Sequence, residues 1–319
     1  MDKNLNCELY KTVYRIRRAE LGIQKYYHEN EMKTPMHMSM GEEAIVAGSC
    51  AAMQETDQVL GTYRSHALYI AKCHETDAFF AELHGKENGI VRGKGGSMHL
   101  SNFDKGLLSC SAILSSNIPV AVGAALANKM KKNGKLVTVF FGDGAIDEGA
   151  FWESLNFACL KELPIIFICQ DNNFAVHTSK EQRHGYKSIL DVIQGFKCNY
   201  AESDSTDPEV YYNLVKDARG NIMKGSGPYF FNFKYYRYLE HVGIAEDFNA
   251  GYRDEGEFQD WYEKDPVKVQ RLKLINAGFP EHELNSLEEV INQQIEKSIS
   301  LSKEAPFADI SEAYQGVFQ

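Results

Sequence analysis

Asp143 stands between two glycines, and an asparagine pair, Asn172-Asn173, follows about thirty residues later. A carboxylate and an amide oxygen brought to one place suit a hard cation. Mg²⁺ takes oxygen ligands in octahedral array and commonly shares them with the phosphates of a bound ligand. The flanking Gly142 and Gly144 let the main chain approach such a phosphate closely. Alone, Gly-Asp-Gly is more often a tight turn closed by its own aspartate. The asparagine pair at this distance makes the cation reading the more specific one. Arg64, in the run Thr62-Tyr63-Arg64-Ser65-His66, adds a planar guanidinium able to pair with a diphosphate in bidentate fashion. Taken by itself, Arg64 reads equally well as a surface arginine at a helix start.

These residues need elements that carry them to one edge. Residues 136–141 form a short apolar run rich in β-branched and aromatic side chains, the pattern of a strand buried on both faces. Phe151, Trp152, Leu155, Ala158 and Leu160 then recur at helical spacing, and Leu163-Pro164 ends the helix. A second apolar strand over 165–169 delivers Asn172. A strand–helix–strand unit with right-handed crossover is parallel. Ligands of such sheets sit at the carboxyl ends of the strands, where both polar clusters fall.

Along the rest of the chain, residues 8–29 have the spacing of a helix, and 34–40 read as a turn. Residues 41–53 are a helix of small side chains and 57–61 a strand that delivers Tyr63-Arg64. Residues 66–85 read as one helix. The Gly-rich stretch 91–99 lacks the spacing of a nucleotide P-loop and reads as a mobile loop. Asn117 is a plausible N-cap, with Pro119 in the first turn of a helix that runs to Gly134. A polar loop over the site is expected at 177–189, strands at 198–202 and 228–238, and a helix at 208–224. Helices at 257–278 and 284–303 close the chain, the last with an apolar stripe of Leu287, Val290, Ile291, Ile295 and Ile299. The fold class is α/β, a mostly parallel central sheet with helices on both faces. Residues 1–256 read as the α/β domain and 257–319 as a helical C-terminal extension.

Gly-Asp-Gly, a helix, an apolar strand and an asparagine pair, taken together, resemble the alpha subunit of the heteromeric thiamine diphosphate-dependent 2-oxo acid dehydrogenases, of pyruvate, acetoin and branched-chain type. The resemblance extends from about Tyr10 to the final helices. It implies the thiamine diphosphate-binding fold and, as cofactors, thiamine diphosphate and Mg²⁺. Residue by residue, it puts the metal on Asp143, Asn172 and the carbonyl of Phe174. Asn173 and Ala175 replace the last two if the asparagine pair is aligned instead. Tyr63 and Arg64 fall where relatives contact the cofactor, Gly144 and Ala145 at the diphosphate, and Ala112 and Leu114 around the aminopyrimidine. His241 takes the place of an active-site histidine for proton work at the cofactor, and His37 that of a second one. A lone histidine after a strand is otherwise more often structural. Leu239-Glu240 departs from the glycine that usually precedes His241, and Glu240 is expected to add a carboxylate at the site's mouth. Val242 and Gly243 stand where some relatives carry a phosphorylated serine, so kinase control there is not expected.

The implied activity is decarboxylation of a pyruvate-like 2-oxo acid with acyl transfer to a lipoyl carrier, which calls for a lipoyl acyltransferase as partner. An acetoin-type cleavage enzyme or a carrier-free decarboxylase or carboligase is the alternative; a non-catalytic cofactor-binding subunit fits less well. The glutamate that activates the cofactor is supplied by a beta subunit in this family, so two alpha and two beta chains are expected. A dinucleotide-binding domain is the poorest reading, because no GxGxxG opens a strand–helix turn.

Forty-four per cent hydrophobic and 24% charged residues are ordinary for a soluble globular protein. A net charge of −10 leaves nothing to offset phosphate repulsion and argues against nucleic-acid binding. No long apolar run suggests a membrane span. Seven cysteines, an odd number without a CxxC, read as reduced thiols in a cytoplasmic protein.

Overall fold

The computed structural model describes residues 2–315. In chain order it consists of α1 (Lys3–Tyr26), α2 (Glu43–Ala51), β1 (Gln58–Thr62), α3 (His66–Cys73), α4 (Asp77–Leu83), β2 (Leu107–Ser111), α5 (Asn117–Lys131), β3 (Val137–Gly142) and α6 (Gly149–Leu160). There follow β4 (Ile165–Asp171), the short β5 (Phe174–Ala175) and β6 (Thr178–Ser179), α7 (Lys180–Arg183), α8 (Ile189–Ile193), β7 (Asn199–Ser203), α9 (Pro208–Ile222) and β8 (Tyr229–Lys234). Helices α10 (Glu255–Glu263), α11 (Pro266–Asn276) and α12 (Glu281–Glu304) complete the chain.

Six strands form one sheet in the order β2-β1-β3-β4-β8-β7, and every pairing is parallel. Successive side chains of a strand face opposite ways, and the core divides accordingly. From β4, Ile165, Phe167 and Cys169 pack with α5 and α6, while Ile166 and Ile168 pack with α1, α2, α9 and α12. Both faces are covered, which is why β3 and β4 are apolar throughout. Ile291, Ile295 and Ile299 of α12 join the larger core, whereas Val290 of the same helix is exposed. The seven cysteines are free thiols. Among the described residues no helix is long and apolar enough to cross a membrane.

The connection from β1 leads outward to β2, and β3 returns on the other side of β1. The strand order therefore reverses between β1 and β3, and a crevice opens at their carboxyl ends, where open α/β sheets bind ligands.

Several local expectations are corrected. Residues 66–85 form two helices, because α3 ends on His74 in the left-handed conformation (φ 57°) and α4 starts afresh after Thr76. The stretch 257–278 is likewise split. Asp265 accepts from the amides of Val267 and Lys268, and Pro266 fixes the first turn of α11. Asn117 is the first residue of α5 rather than its cap. Its side chain donates to the carbonyls of Gly61 (2.7 Å) and Ser109 (3.1 Å) and ties β1 to β2. Edge strand β2 itself was not foreseen, since Leu-Leu-Ser-Cys-Ser lacks a strand's apolar pattern. The expected strand over 228–238 stops at Lys234, with Tyr235, Tyr236 and Tyr238 buried beyond it. Residues 177–189 carry β6 and α7 and do not form a plain loop.

The stretch 91–99 is also anchored, not loose. Buried Glu82 accepts the amides of Val91, Gly93, Gly95 and Gly96 at 2.8–2.9 Å, which wraps the glycine-rich turn around one carboxylate.

Candidate active site

The paired strands β3 and β4 run in register to Gly142 and Gln170, so Asp143 and Asn172 leave adjacent strand tips at the same edge. Asp143 is 1% exposed; one carboxylate oxygen, Oδ1, has no partner, and the other pairs with Arg183. Arg183 also holds Asp147. Burial, then the nearby Asp171, push the Asp143 carboxyl up to about 6. A buried carboxylate oxygen without a donor is costly unless something cationic faces it. Asn172 is fixed by its own turn. Its Oδ1 accepts from the Phe174 amide (3.2 Å) and its Nδ2 donates to the Tyr235 hydroxyl (3.3 Å). Asn173 adopts φ 72°, and its amide donates to Asp171 Oδ1 at 3.0 Å.

Gly144 faces β5. A Cβ there would lie 2.9 Å from the Ala175 Cβ, so the two strand tips close on each other only because residue 144 has no side chain. The cleft between them is lined by Gly142, Gly144, Ala145, Asn172, Phe174, Ala175, Tyr63, Arg64, Leu114 and His241, with Glu42 and Gln170 at its base. Asp143 lines the neighbouring cavity, about 420 Å³, with Asp171, Lys180 and His184. Ala112 belongs to neither lining; it lies on the turn after β2, and the same turn is tied to the tip of β3 by a Ser115 Oγ donation to the Ala145 carbonyl (3.1 Å).

Two distant segments bring the imidazoles together. Gly243 donates to the Met36 carbonyl at 2.8 Å and Tyr238 to that of Met40 at 3.2 Å. Arg64, 8% exposed, sits between them and donates to the Met38 carbonyl (2.6 Å) and the His241 carbonyl (3.0 Å). Far from being a surface arginine, it is the bolt that joins the two loops. The rings of His37 and His241 are 5.5 Å apart edge-on, and Tyr63 packs 4.4 Å from His37 and 5.6 Å from His241. Burial first, then the Arg64 guanidinium, depress both imidazoles to about 3, so both are neutral at physiological pH.

Four participants escaped the sequence reading: Glu42, Gln170, Arg183 and Arg237. Glu42 opens α2, is 1% exposed, and its Oε2 accepts from Gln170 Nε2 at 3.0 Å while Oε1 has no partner. Burial lifts its carboxyl to about 8, against the pull of Arg64. The available signal was Glu42-Glu43 opening a helix of otherwise small residues. Glu240 does not project into the mouth of the site. Its carboxylate accepts from the Ala245 amide at 3.0 Å and closes its own loop.

The arrangement fits a diphosphate-linked cation. An orphaned carboxylate oxygen and an asparagine leave adjacent strand tips; the asparagine, the side-chain-free cradle at Gly144 and the buried Arg64 line one cleft, and Asp143 lines the cavity beside it. Among the described residues no three acidic, histidine or cysteine side chains converge as a metal cage, so such a cation would draw on amide, carbonyl and ligand oxygens as well.

Comparison with known proteins bears on this reading. The family described as "Dehydrogenase E1 component" matches residues 11–311. The chain is 30% identical over 311 residues to the alpha subunit of acetoin:2,6-dichlorophenolindophenol oxidoreductase from Bacillus subtilis, covering 97% of this chain and 92% of that protein. The corresponding subunit from Cupriavidus necator is 31% identical over 313 residues, with 96% and 92% covered. The alpha subunit of the pyruvate dehydrogenase E1 component from Zymomonas mobilis is 30% identical over 318 residues, with 99% and 89% covered. With a parallel α/β sheet, a polar crevice at its switch point and a family match across nearly its whole length, the chain belongs to the dehydrogenase E1 component family, among the alpha subunits of thiamine diphosphate-dependent 2-oxo acid dehydrogenases.

Proposed function

We propose that this alpha chain acts with a separate beta subunit, as two alpha and two beta chains in the cytoplasm, to decarboxylate a pyruvate-like 2-oxo acid and pass the acyl group to a lipoyl acyltransferase. The observation that carries the site assignment is the partnerless Asp143 Oδ1 at the tip of β3, beside Asn172 on the tip of β4. In this reading Mg²⁺ is held by Asp143, Asn172 and the Phe174 carbonyl. Asn172 is preferred to Asn173 because it lines the cleft. Tyr63, Arg64, Gly144 and Ala145 receive the diphosphate, and Leu114, with Ala112 on the same turn, faces the aminopyrimidine. Thiamine diphosphate supplies the electron sink for decarboxylation. The chain's own part is to hold charge, exclude water and manage protons, and His241 and His37, neutral and within one ring's width of each other, are the groups for the last task.

Buried cationic charge supports an anionic substrate. Arg64 is bonded to carbonyls rather than to a carboxylate, and Glu240 is turned into its own loop. An acetoin-type cleavage enzyme is the second reading, favoured by the two acetoin oxidoreductase subunits among its relatives.

Turnover of 2-oxo acids and of acetoin by the alpha–beta complex, with a dye acceptor and then with a lipoyl domain, separates the readings. Asp143→Ala should abolish Mg²⁺-dependent cofactor binding, and unchanged binding removes the site assignment. His241→Ala should bind cofactor yet lose turnover.

A further inference from the structure

The imidazole of His241 is held from two sides. Arg64 takes its backbone carbonyl at 3.0 Å, and Arg237 Nη1 meets ring atom Nδ1 at 3.3 Å. Arg237 is 2% exposed and is itself fixed. Its Nε donates to the Leu239 carbonyl (2.9 Å), and Nη2 donates to the Tyr252 hydroxyl (2.6 Å) and Asp247 (3.3 Å). Asp247 also pairs with Arg253, which donates to the Arg237 and Leu239 carbonyls, so the guanidinium cannot swing away.

A guanidinium only donates, in every protonation state a protein reaches. The ring nitrogen facing it must therefore be the one with a lone pair. In a neutral imidazole the proton is then on the other nitrogen. Among the described residues Nε2 of His241 has no protein hydrogen bond, and the residue lines the cleft. We propose that Arg237 is a positioning residue that fixes His241 in the Nε2–H tautomer, so that this histidine offers the cleft a proton donor and not a base. The charged and titratable groups around the ring are Arg64, Arg237, His177, His37 and Tyr63; none is a carboxylate, and among the described residues Nδ1 has no hydrogen-bond partner besides Arg237. The functional consequence rests on the role assigned to His241 above: it would hydrogen-bond to an anionic ligand oxygen, and proton abstraction would fall to another group.

The test reads the tautomer directly. The full chain carrying ¹⁵N-labelled histidine is examined by long-range ¹H–¹⁵N correlation at neutral pH, with His241 assigned by its loss in His241→Gln. The expected pattern is a protonated Nε2 and a bare Nδ1, essentially as one species. Arg237→Met should convert it to a mixture of the two tautomers, and Arg237→Lys, which keeps a donor, should restore the single species. A bare Nε2, an imidazolium, or an Arg237→Met spectrum identical to wild type would overturn the proposal. Should Arg237→Met not fold, Arg237→Gln, whose side-chain oxygen can accept from an Nδ1–H, takes its place and should likewise lose the single species. Full turnover in His241→Ala would refute the catalytic role of His241 and leave the tautomer result standing, so the two failures are distinguishable.

Discussion

Replacing Glu42 with glutamine tests how strongly the base of the cleft rejects charge. Glu42 is buried beside Arg64, and only one of its oxygens has a partner. Its carboxyl ionises near the ordinary 4.5 in the unfolded chain but only at about 8 in the folded one. Between those values the unfolded state binds fewer protons than the native state, so stability falls as pH rises through the interval and levels off above it. At 1.36 kcal/mol per pH unit, the full loss is roughly 5 kcal/mol at most. Glutamine keeps the volume and an oxygen to accept from Gln170 while removing the ionisation. Glu42→Gln should therefore match wild type near pH 4.5 and exceed it progressively up to about pH 8, with a constant advantage beyond. Denaturant midpoints followed by the fluorescence of Trp152 and Trp261 across this range give the difference curve directly. Contributions from other shifted carboxyls, such as Asp143 and Glu257, are common to both chains and cancel. Stability curves that run parallel from pH 5 to pH 8 would show that Glu42 is ionised in the native protein and that the cleft tolerates its charge.

Gly144→Ala places a methyl 2.9 Å from the Ala175 Cβ and wedges the two strand tips apart. Overpacking of this kind costs about 1–3 kcal/mol, and calorimetric titration should show thiamine diphosphate affinity with Mg²⁺ reduced roughly 10- to 100-fold if that cost falls on the bound state; Gly123→Ala, on α5 outside the cleft and with nothing near the added methyl, is the control. Glu82→Gln leaves an amide to accept where a carboxylate served the amides of four residues, so the turn over 91–96 should become a site of rapid limited proteolysis; a wild-type cleavage rate would mean that the turn is held by other contacts.

The central layer was legible because its strands are buried on both faces. Residues 137–141 and 165–169 carry almost nothing but apolar side chains, and only a covered parallel sheet calls for that. Edge strand β2 was not, since Ser109 and Ser111 sit half-buried at the border of the sheet, where composition is unconstrained. Helix breaks were missed wherever apolar spacing happened to continue across them, although Asp265-Pro266 carried a capping residue followed by proline. The site shows the same division. Asp143 and Asn172 could be singled out by type and spacing along one strand–helix–strand pattern, and Arg64 by the family resemblance of the run around it. Arg237 could not, because its partners His241, Asp247 and Tyr252, though near in sequence, lie on an irregular segment whose path no periodicity sets. Glu42 and Gln170 could not, because they meet across 128 positions of the chain.

That distance also explains why the imidazole pair needs so much support. His37 and His241 lie on irregular segments, where no helix or strand sets their separation. Their geometry is imposed by Arg64, which spends its hydrogen bonds on one carbonyl from each segment, and by the Gly243–Met36 and Tyr238–Met40 main-chain bonds. Gly41 permits the approach, since a Cβ there would lie 2.0 Å from the Tyr236 carbonyl oxygen. A guanidinium tied to carbonyls has no carboxylate to offset its charge, and that charge adds to burial, the larger cause, in depressing both imidazoles while it orders them. Arg64 thus both positions the histidines and adds to the burial that keeps them neutral, so a change there alters the two properties together. Arg64→Met should therefore raise the His241 pKa toward its ordinary 6.5 and loosen the ring's position together, both visible in the histidine spectra as the pH is lowered. An imidazole that stayed neutral down to pH 4 in that variant would assign the depression to burial alone and remove Arg64 from the electrostatics of the site.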